Sequence, residues 1–304
     1  MPFNWIFAII VGVVILLIAI YGVSKIIIGG EELVYTESAS KLISLLDPLE
    51  TGLASGKASE ISFEKETRTF YTCEERDNRP FGLQTLAFSE KTIGDKYGEM
   101  GQEIIIKDKY VFAEEVVEGR KLYVFSKPFF IGYKVADLTI ISSKDYCFYQ
   151  CPEDIKDEIE NLNLNNIKFS DNLQNCSGEI VCFNSPSLNC KISVNGNYDS
   201  GKIIKDNKEM YYVNNLVFGA IFSSPEIYEC NVKRLKNKFN ELALIYQDKA
   251  KIIEKKGCSL NMYNNLNFIR SLNLSSSADL IMLSGEVKII ESMNKGAQAG
   301  CKLY

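Results

Sequence analysis

The chain has 304 residues, of which 46% are apolar and 24% charged, with a net charge of −5 and a sequence isoelectric point near 5.2. This length can bury the core of one or two domains, and the acidic balance argues against nucleic acid as a partner. Nine cysteines and no histidine exclude zinc sites with histidine ligands and catalytic groups of the Ser-His-Asp or Cys-His type.

The first element is an uncharged segment, Trp5–Ser24, which ends at Lys25. Twenty helical residues span about 30 Å, the thickness of the hydrocarbon core of a bilayer. The apolar part of a cleaved signal is shorter and follows a basic segment, which "MPFN" does not provide. We therefore predict a retained transmembrane anchor within residues 1–30, with Trp5–Ser24 in contact with the lipid bilayer. The charges that flank the segment do not decide its orientation.

The second element, within residues 31–56, has the pattern of an amphipathic helix next to the membrane. Its apolar positions fall on one face: Leu42, Leu45, Leu46 and Leu49. We expect this face to pack on the following domain, and a continuous stalk is the alternative.

Residues 57–222 change to a period of two and are rich in Ile, Val, Phe, Tyr and Thr, which is typical of strands. Since no helices alternate with the early strands, the pattern predicts an antiparallel sheet. A short helix, Pro152–Leu162, interrupts the series. This part is the predicted β-rich extracytoplasmic domain.

Residues 223–304 return to helical spacing. Ser223 or Ser224 is the expected N-cap of a long helix, Pro225 lies in its first turn and Gly257 ends it. A second helix begins at Ser276 or Ser277 and stops near Gly296, which predicts a helical hairpin. The predicted fold class is therefore α+β, with an N-terminal transmembrane helix, an antiparallel β-rich head and a C-terminal pair of helices.

The cysteines have no C-x2-C spacing, so a four-cysteine metal site or a C-x-x-C redox site is not supported. Disulfides are the remaining use, and they require an oxidising compartment, which predicts that the head lies outside the cytoplasm. Two N-x-Ser sequons, at Asn175 and Asn273, fit that location. Because nine is odd, at least one thiol is free or paired between chains.

Two disulfides are predicted by position. Cys182 and Cys190 flank the turn-like "SPSL" between two strands, so a local hairpin would bring them together. Cys230 lies in the first turns of the long helix, and an antiparallel second helix would carry Cys301 back to it. A bond between Cys258 and Cys301 would instead place the two helix ends together.

Three short motifs are interpreted as structural. "GDKYGEMG", Gly94 to Gly101, lacks the ending of a phosphate loop, and "SASK", Ser38 to Lys41, lacks its companion catalytic elements. "AEEVVEGR" offers three carboxylates on a strand edge and turn: Glu114, Glu115 and Glu118. No catalytic residue, metal ligand or cofactor-binding residue is predicted, and no cofactor.

The segment "VFGAIFSSPEIYECNVKRLKNKFNELALIYQDKA", Val217 to Ala250, resembles uncharacterised, N-terminally membrane-anchored surface proteins of small-genome archaea. The opening "FNWIFAIIVGVVILLIAI" resembles them as well. The resemblance implies an anchored, cysteine-containing surface domain and no known activity. A single helix before a β-rich head is also the plan of pilin-like subunits, although this chain has no pilin leader motif.

The resulting hypothesis is a single-pass, membrane-anchored, extracytoplasmic structural or protein-binding protein that is not an enzyme. Its expected partner is another envelope protein, not nucleic acid, and homo-oligomerisation stays open. The alternatives are a pilin-like filament subunit and a membrane-tethered, thiol-dependent enzyme that uses an unpaired cysteine.

Overall fold

The computed structural model of the protein describes residues 9–22, 35–44, 58–76, 79–92, 96–185, 190–258, 262–272 and 275–304. Strands make up most of the described chain before residue 214, and helices make up most of it afterwards. The class is α+β, in which the helices pack on the sheets that precede them.

The first sheet combines long and very short strands. They are β1 (Ala58–Arg76), β2 (Arg79–Glu90), β3 (Ile104–Ile105), β4 (Tyr110–Phe112), β5 (Val116–Ile131) and β6 (Tyr133–Ser142). In the described residues their order is β3-β2-β1-β5-β6-β4. The edge strand β4 is parallel to β6, and the other neighbours are antiparallel.

The second sheet follows directly along the chain. Its strands are β7 (Tyr146–Tyr149), β8 (Ile167–Ser170), β9 (Glu179–Phe183), β10 (Ile192–Gly196), β11 (Ser200–Lys205) and β12 (Lys208–Val213). Their order is β12-β11-β10-β9-β7-β8. The four strands β8, β7, β9 and β10 are parallel to one another, whereas β11 is antiparallel to both of its neighbours.

The helices of known extent are α1 (Glu153–Glu160), α2 (Leu216–Phe222), α3 (Pro225–Lys255), α4 (Met262–Ser271) and α5 (Asp279–Gly296). Residues 9–22 and 35–44 are also helical. As predicted, the side chain of Ser224 caps α3 by accepting from the backbone of Ile227, and Pro225 occupies its first turn. Gly257 follows the helix with a φ of +95°. The two ends of α3 therefore follow ordinary capping chemistry.

The antiparallel head is a wrong prediction, because both sheets are mixed. In the second sheet, α1 connects β7 to β8 as a crossover, which returns the chain to the same end of the sheet and makes the two strands parallel. The sequence pattern predicts a helix at this position, but the pattern does not show that the helix connects parallel strands.

The N-terminal transmembrane helix of the predicted fold class is unsupported. Residues 9–22 are helical, and their apolar side chains are exposed. In the part of the chain that the structure describes, no helix is long and apolar enough to cross a bilayer. The fold class is corrected accordingly. Residues 5–8 and 23–24 of the predicted segment lie outside the described residues.

Within the predicted amphipathic segment 31–56, residues 35–44 are helical and pack on the first sheet. Tyr35 and Leu42 are buried, and the Tyr35 ring lies 6.4 Å from the ring of Phe88, measured between centroids. This helix covers one face of the sheet. The remaining predicted apolar positions lie outside the described residues: Leu45, Leu46 and Leu49.

The predicted C-terminal pair of helices is wrong, because the short helix α4 lies between α3 and α5 and packs on both. Ser277, just before α5, donates its backbone N–H to Glu229 at the start of α3 (2.9 Å). Near the other end of α3, Lys249 donates to the carbonyl of Leu303. Because the start of α5 lies beside the start of α3, and the residues after α5 lie beside the end of α3, the two helices run parallel to each other. The intervening α4 carries the chain back to the start of α3.

The core is centred on α2, whose seven residues are all buried between the two sheets. The Phe222 ring lies 5.5 Å from Phe125 of the first sheet and 4.6 Å from Tyr146 of the second. Gly219 makes this packing close, because a Cβ atom there would lie 2.7 Å from the ring of Phe112. The two sheets are therefore joined through one short apolar helix.

A buried lysine adds a polar connection between the sheets. Lys205, at the end of β11, forms an ion pair with Glu114, which follows β4 (2.6 Å). Its ammonium group also donates to the carbonyls of Ile221 (3.1 Å) and Ser223 (2.7 Å) at the end of α2. Burial lowers the pKa of Lys205, and the Glu114 carboxylate opposes that shift. Three acceptors thus satisfy a cation that would otherwise be costly to bury.

Buried tyrosines make stability sensitive to alkaline pH. Burial raises the pKa of Tyr71, Tyr146 and Tyr228 well above the usual value near 10. A tyrosine whose pKa is raised in the folded state stabilises the fold fully below pH ~10. Above that pH, each such tyrosine lowers the free energy of unfolding by about 1.4 kcal/mol per pH unit. We therefore expect steep unfolding above pH ~10, followed by circular dichroism and tyrosinate absorbance. Titration of all 16 tyrosines near pH 10 in protein with a native spectrum would contradict this expectation.

Candidate functional site

A buried polar cluster lies where α3 crosses the first sheet. Its members are Gln84 on β2 and Asn231 and Arg234 on α3, and each is at most 4% exposed. Asn231 and Arg234 are one helical turn apart, so their side chains leave α3 on the same side. The two polar side chains therefore point from α3 to the first sheet, although most of the residues with which α3 packs on that sheet are apolar.

Gln84 binds the free edge of β4. Its side-chain nitrogen donates to the carbonyl of Val111 (2.6 Å), and its oxygen accepts from the N–H of the same residue (3.0 Å). Asn231 donates to the Val111 carbonyl as well (2.7 Å). Since β4 has a strand partner on one side only, these amides take the place of the missing strand.

Arg234 uses most of its donors on neutral oxygens. Its Nε donates to the carbonyl of Phe81 (2.6 Å), and one terminal nitrogen donates to Gln84 (3.0 Å) and Asn231 (2.7 Å). The other terminal nitrogen donates to the carbonyl of Lys109 (3.0 Å). Among the described residues no carboxylate forms an ion pair with this guanidinium, and its hydrogen bonds go only to neutral oxygens.

Gly82 allows the arginine to lie against β2. Its φ is +62°, and a Cβ atom there would lie 2.6 Å from the carbonyl oxygen of Glu74 and 3.1 Å from Cγ of Arg234. Only glycine fits this conformation and this close approach.

A groove of about 620 Å³ opens beside the cluster. Its lining comes from the start of β2, from residues 105–108 and Tyr110, from the middle of β6 and from the helix α3. Its apolar walls include four side chains: Phe81, Leu83, Ile106 and Val135. The volume is within the range of sites that bind small molecules or short peptide segments.

The charged groups of the groove are mostly basic. Arg234, Lys107 and Lys238 line it, together with Asp108 and Asp137. Asp137 is neutralised by an ion pair with Lys134 at 2.7 Å. The remaining charges leave an excess of two positive charges around the groove.

Tyr110 places a hydroxyl group next to the arginine. Its ring lies 4.8 Å from Cζ of Arg234, measured to the ring centroid. The hydroxyl hydrogen-bonds none of the described residues, and Tyr110 lines the groove although most of its side chain is buried. Burial raises the pKa of Tyr110 to about 12, with Asp108 adding to the increase and Arg234 opposing it. At neutral pH it is therefore a hydrogen-bond donor.

Four disulfides join eight of the nine cysteines: Cys73–Cys230, Cys147–Cys176, Cys182–Cys190 and Cys258–Cys301. The predicted pair of Cys182 and Cys190 is present, with Cα atoms 5.7 Å apart. The predicted hairpin around it is wrong, because β9 and β10 are parallel neighbours.

The predicted bond between Cys230 and Cys301 is wrong. Cys230 is bonded to Cys73 on β1, which fixes the start of α3 to the first sheet beside the polar cluster. Cys301 is bonded to Cys258, because α5 runs parallel to α3 and ends near its C-terminus. The extra helix α4 is the physical reason why Cys301 lies beside Cys258 and not beside Cys230.

Cys151 is the unpaired cysteine among the described residues. It is half-buried, and its Sγ lies 3.6 Å from the carbonyl oxygen of Pro152. Burial raises the pKa of its thiol, and Asp154 contributes to the increase. The thiol is therefore protonated at neutral pH and is a poor nucleophile.

Two of the other sequence motifs contribute to surface ion pairs: Glu118 pairs with Arg68 (2.5 Å), and Lys41 of "SASK" pairs with Glu37 (2.8 Å). Glu114 instead pairs with the buried Lys205 between the sheets. The loop "GDKYGEMG" is described from residue 96 onwards. Within the described residues no group of three or more acidic or cysteine side chains could hold a metal ion.

Comparison with known proteins gives no relative: no family model matches the chain, and no curated protein or solved structure is significantly similar to it. The site must therefore be interpreted from its own chemistry.

Sequence reasoning missed the polar cluster and the groove. A signal was present, because Asn231, Arg234 and Lys238 recur at spacings of three and four beside the apolar stripe of α3. A polar stripe next to an apolar one is usually a solvated helix face. The partner, Gln84, lies about 150 residues earlier in a strand, so the spacing alone could not show that the stripe is buried.

We expect Gln84→Met to lower the free energy of unfolding by about 3 kcal/mol. Methionine keeps the volume but leaves N–H groups of Val111 and Arg234 without their acceptor, and each buried unsatisfied group costs about 1–3 kcal/mol. Urea unfolding followed by circular dichroism measures the change. The exposed Gln102→Met is the matched control and should change stability by less than about 0.5 kcal/mol. A loss below ~1 kcal/mol in Gln84→Met would contradict the role of this amide.

We expect Cys151 to react slowly with iodoacetamide in the folded protein at neutral pH, because its thiol is protonated and half-buried. In urea without reductant, the same thiol should react at least ~100-fold faster, as its pKa returns to the usual ~8.5 and the group becomes accessible. Mass spectrometry of the alkylated peptide gives both rates. Equal rates would show an activated thiol and would favour the thiol-enzyme alternative.

Proposed function

We propose that this chain is a non-catalytic protein of an extracytoplasmic compartment that binds another protein of the cell envelope. The observation that carries the proposal is the pairing of eight cysteines in four intramolecular disulfides. Disulfides of this number persist in oxidising compartments and are rare where thiols are kept reduced.

The disulfides support a role as a stable scaffold. The bond between Cys73 and Cys230 joins the first sheet to α3 across 157 residues, and the bond between Cys258 and Cys301 joins the ends of α3 and the chain across 43. Such cross-links constrain the unfolded chain, which suits a domain that works without the cell's folding and repair machinery.

The thiol-enzyme alternative is disfavoured by the chemistry of Cys151. A nucleophilic thiol is activated by a lowered pKa, whereas burial and Asp154 raise the pKa of this one. The filament-subunit alternative and the resemblance to archaeal surface proteins stay predictions.

Thiol trapping in intact cells tests the location. Cells that produce the full chain are treated with N-ethylmaleimide before lysis, and the isolated chain is mapped by peptide mass spectrometry without reduction. We expect the four disulfides in the native pairing and no N-ethylmaleimide on any of the eight paired cysteines. A chain in which all nine cysteines carry N-ethylmaleimide would overturn the extracytoplasmic proposal.

Binding is tested by cross-linking the same intact cells with a membrane-impermeant, lysine-reactive reagent. A discrete adduct with a second envelope protein supports the proposal. An adduct between two copies of the chain, or no adduct, would contradict the choice of partner.

A further inference from the structure

We propose that the groove beside Arg234 binds a carboxylate side chain of a partner protein, flanked there by apolar residues of an extended segment. This inference rests on the proposed binding function and names the chemistry by which the partner is recognised.

The charge of Arg234 is the first argument. The guanidinium is 4% exposed, it lines the groove, and its four hydrogen bonds go to carbonyl and amide oxygens. A guanidinium has five N–H donors, so one terminal N–H is left without a partner among the described residues. A buried cation without a counter-ion is stabilised by an anion, and a carboxylate matches its planar geometry.

The neighbouring donors are the second argument. The hydroxyl of Tyr110 is unpartnered among the described residues, and its ring lies under the guanidinium. Lys238, which lies 5.3 Å from the Phe81 ring centroid, and the exposed Lys107 stand at the rim. Two donors at the base and two cations at the rim complement a single carboxylate and also attract it over a distance.

The size and walls of the groove identify the rest of the ligand. A volume of about 620 Å³ is several times larger than a carboxylate group, and the walls beside Arg234 are apolar at Leu83, Ile106 and Val135. A bare inorganic anion would leave this surface uncovered. A glutamate or aspartate between apolar residues fills both parts, which is why we assign the occupant to a protein segment.

The test uses the full oxidised chain and the tripeptide N-acetyl-Leu-Glu-Leu-amide as the probe. The readout is the nuclear magnetic resonance signal of the arginine Nε–H groups, of which the chain has only six. We expect a saturable shift of the Arg234 signal with a dissociation constant in the millimolar range. The neutral probe N-acetyl-Leu-Gln-Leu-amide should bind at least ~10-fold more weakly, because it lacks the charge.

Three substitutions locate the site without removing Arg234, which also holds the surrounding backbone. Tyr110→Phe should weaken binding ~5-fold through the loss of one hydrogen bond, and Lys238→Gln should weaken it ~3-fold. Asp108→Asn should strengthen binding ~2-fold, because it removes a negative charge that lines the groove and acts on the arginine.

A matched control lies on the same helix. Lys251 is placed over the ring of Tyr263 (4.9 Å to the centroid) as Lys238 is placed over Phe81, but it does not line the groove. Lys251→Gln makes the same change of net charge and should leave the dissociation constant unchanged. A loss as large as that of Lys238→Gln would show an effect of net charge alone and would overturn the site.

Two further outcomes would overturn the proposal. If the Glu and Gln probes bind equally, the groove does not recognise a carboxylate. If sodium acetate binds as tightly as the Glu probe, the occupant is a small carboxylate and not a protein segment. These measurements use purified protein, so their failure is distinct from a failure of the thiol trapping and cross-linking that test the proposed function itself.

Discussion

Val111 needs a hydrogen-bonding partner at the free edge of β4, and the side chain of Gln84 provides it. An unpaired backbone N–H and C=O in the interior would each cost about as much as a lost hydrogen bond, so the burial of this edge depends on the amide of Gln84. Asn231 and Arg234 complete the arrangement from α3, and the bond between Cys73 and Cys230 fixes that helix in place. The position of α3, and with it the base of the groove, depends on one satisfied polar cluster.

The same cluster explains how a cation can be buried and still be available to a ligand. Hydrogen bonds to carbonyl and amide oxygens hold the guanidinium of Arg234 rigidly, but these dipoles do not neutralise its charge. Burial accordingly lowers the pKa of Arg234, and only Tyr110 and Asp108 oppose that shift. A preorganised charge of this kind loses little entropy when it binds an anion.

Local signals in the sequence predicted local structure well. Ser224, Pro225 and Gly257 marked the ends of α3, because capping chemistry depends on neighbouring residues. The pairing of Cys182 with Cys190 also followed from their closeness in the chain. By contrast, the run Leu216–Phe222 is apolar almost throughout, so it has no periodicity that would distinguish a buried helix from a buried strand. The helix α2 could therefore not be predicted.

Long-range relations could not be predicted, for reasons of topology. The directions of β8, β9 and β10 depend on crossovers, and the short α4 reversed the direction of α5 relative to the predicted hairpin. Two disulfide partners were therefore assigned incorrectly, although the number of cysteines had indicated a disulfide-bonded protein. In the same way, the stripe of polar residues on α3 acquires meaning only when Gln84 is brought beside it.

The disulfides also define the path that mechanical tension would take through the molecule. A pull between β1 and the last residues passes from Cys73 directly to Cys230, along α3 to Cys258, and then to Cys301. The second sheet and α2 lie entirely within the bypassed segment between the first two of these cysteines, and α4 and α5 lie within the segment bypassed by the other pair. Force applied along this route would be carried by covalent bonds and by α3, the helix that contributes Arg234 and Lys238 to the groove, while the strands from β2 to β12 would bear almost none of it.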